Sequence, residues 1–422
     1  MKSKKLFYGW IIVLCCVLIT SGTGILTGCI SVFVKPVSEA LDVSRSKFTM
    51  YSTLSMIASM LSLPVVSNVF KKINYKTITV TAAVIIGGIL FAYSFSNEMW
   101  HFYVLSTLSG VANSFLGAVP IVILINNWFE EKRGFATSVA FAGGGLASIF
   151  LAPLITEAIL AAGWRKAYQL TGIAFWLMTL PALLLFTKVR PEDMGLKALG
   201  TSGATEKHVA ISPDVKASGF TRKEAVRTKS FWIFSAGIFL SSLVAFGVMQ
   251  HMVSYLGDIG YSSVEATKWF SIYNAIAVVA KAGTGALYDH CGIKKSSVLL
   301  TAIVCASLFC GLYASERRML VLFVLLFGIS SGIQIVPPTY MTNMYFGDLD
   351  YSANYGLVTT IYFCGMAVGI QCSSMIFDSF GSYGPAFVLY IILTVIMLAL
   401  WLISKKTAIA ERKEKLGEIV NF

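Results

Sequence analysis

Charge is scarce in this chain. Asp, Glu, Lys and Arg make up 13% of its 422 residues, histidine occurs four times, and 56% of the residues are hydrophobic, with a mean hydropathy of +0.74. A soluble domain carries about 25% charged residues, so that class is excluded. Strict apolar/polar alternation in roughly ten-residue segments is also missing, which excludes an outer-membrane barrel. The eight cysteines show neither CxxC nor zinc-ligand spacing, and seven of them lie in apolar stretches, where they read as small buried hydrophobes. The glycine run Gly143, Gly144 and Gly145 has no Lys-Ser or Lys-Thr after it, so it is no phosphate loop. With no metal cluster and no nucleophile triad in view, no enzyme activity, cofactor or metal is expected, and any work must draw on an ion or substrate gradient.

What the chain has in abundance is long apolar runs, enough to make it a polytopic membrane protein. Twelve stretches can cross a hydrocarbon core about 30 Å thick at 1.5 Å per residue. They cover 7–34, 48–70, 77–95, 103–129, 134–162, 168–186, 231–255, 267–288, 298–314, 319–346, 354–377 and 386–403. The first is longer than a signal core and is read as retained. The prediction is an all-α membrane protein with twelve transmembrane helices in two pseudo-symmetric six-helix halves.

Basic residues set the orientation. With the N-terminus inside, 24 Lys and Arg fall in inner segments and eight in outer loops or at the outer edge of a span, leaving only Lys281 well within a span. A multi-pass protein of the cell membrane with both termini cytoplasmic is therefore expected. The same asymmetry accounts for the +12 net charge, because inner loops meet anionic lipid. The loops are too short for a nucleic-acid module.

Most connections are short, but residues 187–230 form a long polar linker that is expected to be weakly ordered, with a surface helix near Arg222 to Arg227. The predicted organisation is an N-terminal half at 1–186, the cytoplasmic linker at 187–230, a C-terminal half at 231–403 and a tail at 404–422. The halves read as copies. RGFATSVAFAG, Arg133 to Gly143, matches YGLVTTIYFCG, Tyr355 to Gly365, at an offset of 222 that also pairs Trp10 with Trp232. NNWF ending at Phe129 likewise resembles NMYF ending at Phe346. Two such halves imply alternating access to a site near the midplane.

Between spans 8 and 9 stand Gly285, Asp289, His290, Gly292, Lys294 and Lys295. Over nearly its whole length the chain resembles the major facilitator superfamily, whose loop signature these residues match. The resemblance implies the major facilitator fold and an inner-gate latch made by Gly285, Asp289, Gly292 and Lys294. Between spans 2 and 3 the equivalent segment has Lys71 in place of the acid and Asn74 in place of the glycine. FYGW at Phe7, NWFEEKRGFATSVAFAG from Asn127, GWRKAY from Gly163, RPEDMGL from Arg190 and EAVRTKSFW from Glu224 resemble the oxalate:formate antiporter and monocarboxylate transporter branch.

Few ionisable residues lie well inside the spans: Lys281, His251 and, nearer an end, Glu157. A buried charge costs at least about 2.5 to 3.5 kcal/mol, and no carboxylate shares the helical face of Lys281, where Asn274, Ala277, Val278, Gly285 and Tyr288 lie. A substrate anion would neutralise it; the alternative is an ammonium that snorkels to inner water. The resemblance implies that relatives hold an arginine at this position to grip a carboxylate, and that the second cation of the oxalate carrier falls at Tyr362. A lysine here and a tyrosine there point to a monoanion. His251 reads either as a proton carrier near neutrality or as a packed neutral ring. Asn113 and Tyr340, in spans 4 and 10, read as cavity-lining groups or as interhelical glue. Glu157 is expected to pair with Arg165 or Lys166.

The function implied is secondary transport of a small organic anion, a monocarboxylate, by proton symport or anion exchange, in a monomer surrounded by membrane lipid. An exporter of apolar or cationic compounds is the alternative carrier, and a sensor that keeps the fold without transport is the alternative of another class.

Overall fold

The computed structural model describes residues 7–196, 198–199, 219–347 and 349–416. Most of the linker, with His208, and the last residues of the tail lie outside the described residues. The described residues are almost wholly helical, and the chain divides into two compact units, Met1–Val43 with Met50–Ala210, and Ser44–Thr49 with Ile211–Phe422.

The first unit holds α1 (Tyr8–Gly28), α2 (Ile30–Ala40), α3 (Arg45–Lys72, beyond its first turn), α4 (Tyr75–Ala92), α5 (Met99–Ser114), α6 (Ala118–Trp128) and α7 (Arg133–Pro181). The second holds α8 (Arg222–Ala225), α9 (Lys229–Met249), α10 (Met252–Asp258), α11 (Ser263–Leu312), α12 (Arg317–Ser330), α13 (Val336–Phe346), α14 (Tyr351–Phe380) and α15 (Gly384–Leu416). Nine helical segments among the described residues are long and apolar enough to cross a membrane. Each of the twelve predicted stretches is largely helical.

Two predicted loops shrink to single residues. α7 turns at Gly163, with φ +80°, and α11 turns at Gly292, with φ +70°. Side chains rarely adopt this left-handed region, and glycine enters it without a Cβ clash. At Gly292 the corner is pinned by Tyr288 and Ser297, whose hydroxyls are 3.0 Å apart, and by the Ser296 hydroxyl donating to the Leu287 carbonyl at 2.9 Å.

Conversely, four predicted continuous spans are broken. Span 1 bends at Cys29, between α1 and α2, and span 7 at Gln250 and His251, between α9 and α10. Span 4 breaks before Gly117, and span 10 passes through a 3-10 turn at Ser331–Gln334. Pro120, Pro337 and Pro338 follow the latter two breaks; proline has no N–H to donate back across the turn.

The 222-residue offset is visible in the packing. In the first unit a Cβ on Gly143 would strike Thr20 and the Val17 carbonyl; in the second, a Cβ on Gly365 would strike Ser242 and the Phe239 carbonyl. Every residue of the second set stands 222 positions after its counterpart. A pocket lined by Ile25, Leu26, Cys29, Ile30, Phe33 and Tyr168 likewise matches one lined by Gly247, Val248, His251, Met252, Tyr255 and Tyr390.

The motif residues do structural work within their own units. Phe7 meets Trp128 and Phe129 edge-on at 6.0 and 5.9 Å, and the Trp128 indole donates to the Lys188 carbonyl at 2.8 Å. Phe129 bridges Leu199, and Pro191–Met194 forms a 3-10 turn capped reciprocally by Arg190 and Asp193. In the second unit Gly219 bridges Gly347, and α8 is the expected surface helix, with a Thr221/Glu224 capping box. The described ends of the linker are each tied to their own unit. Backbone pairing to the ends of α6 and α13 supplies what its polar composition cannot.

Candidate functional site

Lys281 lies on α11, before the corner at Gly292. Counting about 100° per residue, the exposed Ile272, Ala275, Val279 and Ala286 lie about 120–180° around the helix from it. The buried Phe270, Asn274, Ala277, Thr284 and Tyr288 lie within about 60° of it. Lys281 thus projects from the middle of the buried sector, yet it is itself exposed. Open space must stand before that face. Gly285, one turn along, agrees: a Cβ there would meet nothing within 4 Å. Among the described residues Lys281 makes no hydrogen bond or ion pair, so its ammonium is available to an anion.

Other predicted residues gather along the same stripe of the second unit. Asn274 is 9% exposed and donates through its amide to the Phe270 carbonyl at 2.9 Å, which leaves its side-chain oxygen on the Lys281 face. Tyr340 on α13 lies 5.7 Å from the ring of Tyr288, itself on this stripe. Tyr362 on α14 packs edge-on to Phe246 at 6.2 Å and lies near Tyr273, whose ring stacks on Phe327 at 5.1 Å. Asn113 belongs to the first unit, at the end of α5 just before the span 4 break, and its side-chain oxygen is buried without a partner.

Of the latch residues, Gly292 makes the corner, whereas Asp289 and Lys294 are exposed on either side of it. Glu157 is exposed, and no ion pair joins it to Arg165 or Lys166 among the described residues. The expected partner Arg165 is taken: its guanidinium donates to the Ser94 and Ser96 carbonyls at 2.7 and 3.2 Å and to Asn97 at 2.8 Å. Three acceptors at the end of α4 satisfy it without a carboxylate.

His251 stands apart from the Lys281 stripe. It is 1% exposed and sits in the span 7 break, where its Nε2 lies 3.0 Å from the Ile370 carbonyl and its Nδ1 3.1 Å from the Tyr383 hydroxyl. Tyr383 also accepts from Arg45 at 3.0 Å, and Arg45 forks onto Asp258 at 2.5 and 2.9 Å. The Arg45 guanidinium lies 3.7 Å above the Phe377 ring. The amides of Arg45 and Ser46 donate to the two Asp378 oxygens at 3.0 and 2.9 Å, so a carboxylate caps the N-terminus of α3. Reading the sequence alone did not reach this network, because its partners are hundreds of positions apart and none of them carries a local motif.

The model of the Major Facilitator Superfamily matches residues 14–295 and 269–420. Rat monocarboxylate transporter 12 is 24% identical over 410 residues, covering 90% of this chain and 82% of that protein. Rat monocarboxylate transporter 4 is 22% identical over 388 residues, covering 90% and 80%. A bacterial homolog of the human lysosomal transporter Spinster superposes with a TM-score of 0.73 at 15% identity, over 97% of this chain and 99% of that one. The nucleoside transporter NupG gives 0.73 at 11% identity, over 94% and 99%. At such identities the structures speak for the fold, whereas the family model spans nearly the whole sequence. The chain is a multi-pass membrane transporter that belongs to the Major Facilitator Superfamily.

Proposed function

We propose that this transporter carries a small organic monoanion, a monocarboxylate, with Lys281 as the anchor for its charge. The observation that carries this reading is a lysine in the buried sector of α11 that faces open space and has no carboxylate beside it. A fixed cation in a membrane interior needs a counter-ion, and a small anion supplies one. The ammonium offers a point charge rather than a two-pronged fork, and Tyr362 offers a hydroxyl where a dianion would need a second cation. Asn274, Tyr340 and Asn113 are the polar groups proposed to line the path. Their neutral donors and acceptors suit the remaining oxygens of a carboxylate or a hydroxy acid.

In this reading the protein works as a monomer in the cell membrane with both termini cytoplasmic. It uses alternating access, coupled to proton symport or anion exchange, with Asp289 and Lys294 near the inner gate. A thermal-shift screen of the purified protein against short mono- and dicarboxylates tests the ligand class. A ligand at about 100 times its Kd adds about 2.7 kcal/mol to the folded state. Monocarboxylates are expected to raise the transition of the wild type and not that of Lys281→Gln. Equal shifts in both proteins, or a response to dicarboxylates alone, would refute the assignment.

A further inference from the structure

The hydrogen-bond chain from Arg45 to the Ile370 carbonyl has only one possible direction. A guanidinium can only donate, so the Tyr383 oxygen accepts from Arg45 at 3.0 Å. The hydroxyl hydrogen of Tyr383 must then point to its other neighbour, His251 Nδ1, at 3.1 Å. That nitrogen therefore presents a lone pair. On the far side of the ring Nε2 lies 3.0 Å from the Ile370 carbonyl, which can only accept, and 3.2 Å from the Ser374 hydroxyl, which donates to that same carbonyl at 3.2 Å, so Nε2 carries the hydrogen and donates to Ile370. His251 is thus fixed as the neutral Nε2–H tautomer while Arg45 is seated.

A second proton on the ring would have to sit on Nδ1. Tyr383 would then face two donors, Arg45 and His251, and its own hydrogen would have no acceptor in the network. The cost of such an orphan in a buried site, together with the repulsion between guanidinium and imidazolium, falls on whichever group can leave. Arg45, 7% exposed in the first turn of α3, is that group, since His251 is 1% exposed and held in the span 7 break. The charged or titratable groups facing the ring from its neighbours are Arg45 from α3, Asp258 at the end of α10, and Asp378 on α14. Tyr255, Tyr383 and Tyr390 share its cavity. The two carboxylates would receive a protonated ring once Arg45 had withdrawn.

We propose that seating Arg45 on Tyr383 and Asp258 and placing a proton on His251 are mutually exclusive, which makes the first turn of α3 a proton-released clasp. The coupling is reciprocal: a proton on His251 weakens the clasp by the factor by which the clasp weakens proton binding. This goes beyond the anion reading, and none of its readouts is uptake.

The test uses the full chain in lipid nanodiscs with 15N-labelled histidine. Only four histidines are present, and the His251 signals are identified by their loss in His251→Gln. At neutral pH the wild type is expected to show His251 solely as neutral Nε2–H. On acidification the imidazolium signal should rise together with hydrogen exchange at the Arg45 and Ser46 amides, by at least tenfold after correction for intrinsic rates, and His251→Gln should lose that step. Arg45→Gln is expected to show imidazolium at a pH where the wild type has none. Tyr383→Phe, which keeps the ring packing, should do the same if Arg45→Gln fails to fold. An Nδ1–H tautomer, imidazolium forming while both amides stay protected, or an unchanged acid step in His251→Gln would each overturn the proposal; the last would assign the step to Asp258 or Asp378.

Discussion

At the scale of single residues, the two ionisable groups that the sequence isolates, Lys281 and His251, differ in surroundings rather than in depth alone. Lys281 lacks a protein partner among the described residues and faces open space; His251 has a partner on each ring nitrogen. In the proposed reading the first meets an anion that arrives, and the second holds one protonation state until a neighbour moves. Lys281→Arg tests the difference between a point charge and a fork. It should keep binding of a monocarboxylate within about tenfold and widen acceptance toward dicarboxylates, as read from competition against the wild-type ligand. A loss as complete as that of Lys281→Ala would show that the site measures size rather than charge. The position of Lys281 on a face without carboxylates was legible from i±3 and i±4 spacing. The partners of His251 were not, because Tyr383 lies 132 positions away and Arg45 lies 213 positions from Asp258.

At the scale of elements, the apolar pattern located the helices but not their interruptions. Hydropathy reports burial and is blind to backbone dihedrals, so Cys29, His251 and the Ser331–Gln334 turn passed as mid-span residues, while the corners at Gly163 and Gly292 passed as loops. The glycines of the matched segments were legible as repeats, and the structure supplies the reason: α1 against α7, and α9 against α14, leave no room for a Cβ. Gly143→Val and Gly365→Val are each expected to cost about 1–3 kcal/mol, seen as a lower unfolding midpoint in detergent. A neutral result at both would disprove close packing. At the foot of α15, Lys415 bonds Glu224 at 2.6 Å and lies 4.5 Å from the Phe220 ring centre. The bond from Lys415, with those from the Thr221 amide and hydroxyl, holds the Glu224 carboxyl down at about 2. Because the folded value is below the ordinary one of 4.5, this clasp is at full strength above that range and is lost as pH falls toward about 2. Amide exchange at Ala225 should follow that course, and Glu224→Gln should raise it at neutral pH. An unchanged rate would leave the α8 cap without a role.

At the scale of the molecule, the two units carry the same packing solutions at a 222-residue offset, down to the pockets beneath Cys29 and His251. Duplication followed by divergence explains why one pocket holds a thiol among tyrosines and the other a histidine tied to Arg45. The family was legible because its motifs are structural: FYGW, NWF and the residues that flank RPEDMGL, Lys188, Val189 and Leu199, meet in a single aromatic and backbone cluster of the first unit. The substrate is less legible, because in the proposed reading it depends on one ammonium and a few neutral groups whose spacing no linear pattern records. The most direct test is counterflow of a labelled short monocarboxylate in proteoliposomes holding wild type or Lys281→Ala, with insertion checked by the amount of protein reconstituted. Wild-type exchange and a loss of at least about tenfold in Lys281→Ala, equivalent to about 1.4 kcal/mol, is the predicted result. Exchange at the wild-type rate in Lys281→Ala would contradict the account.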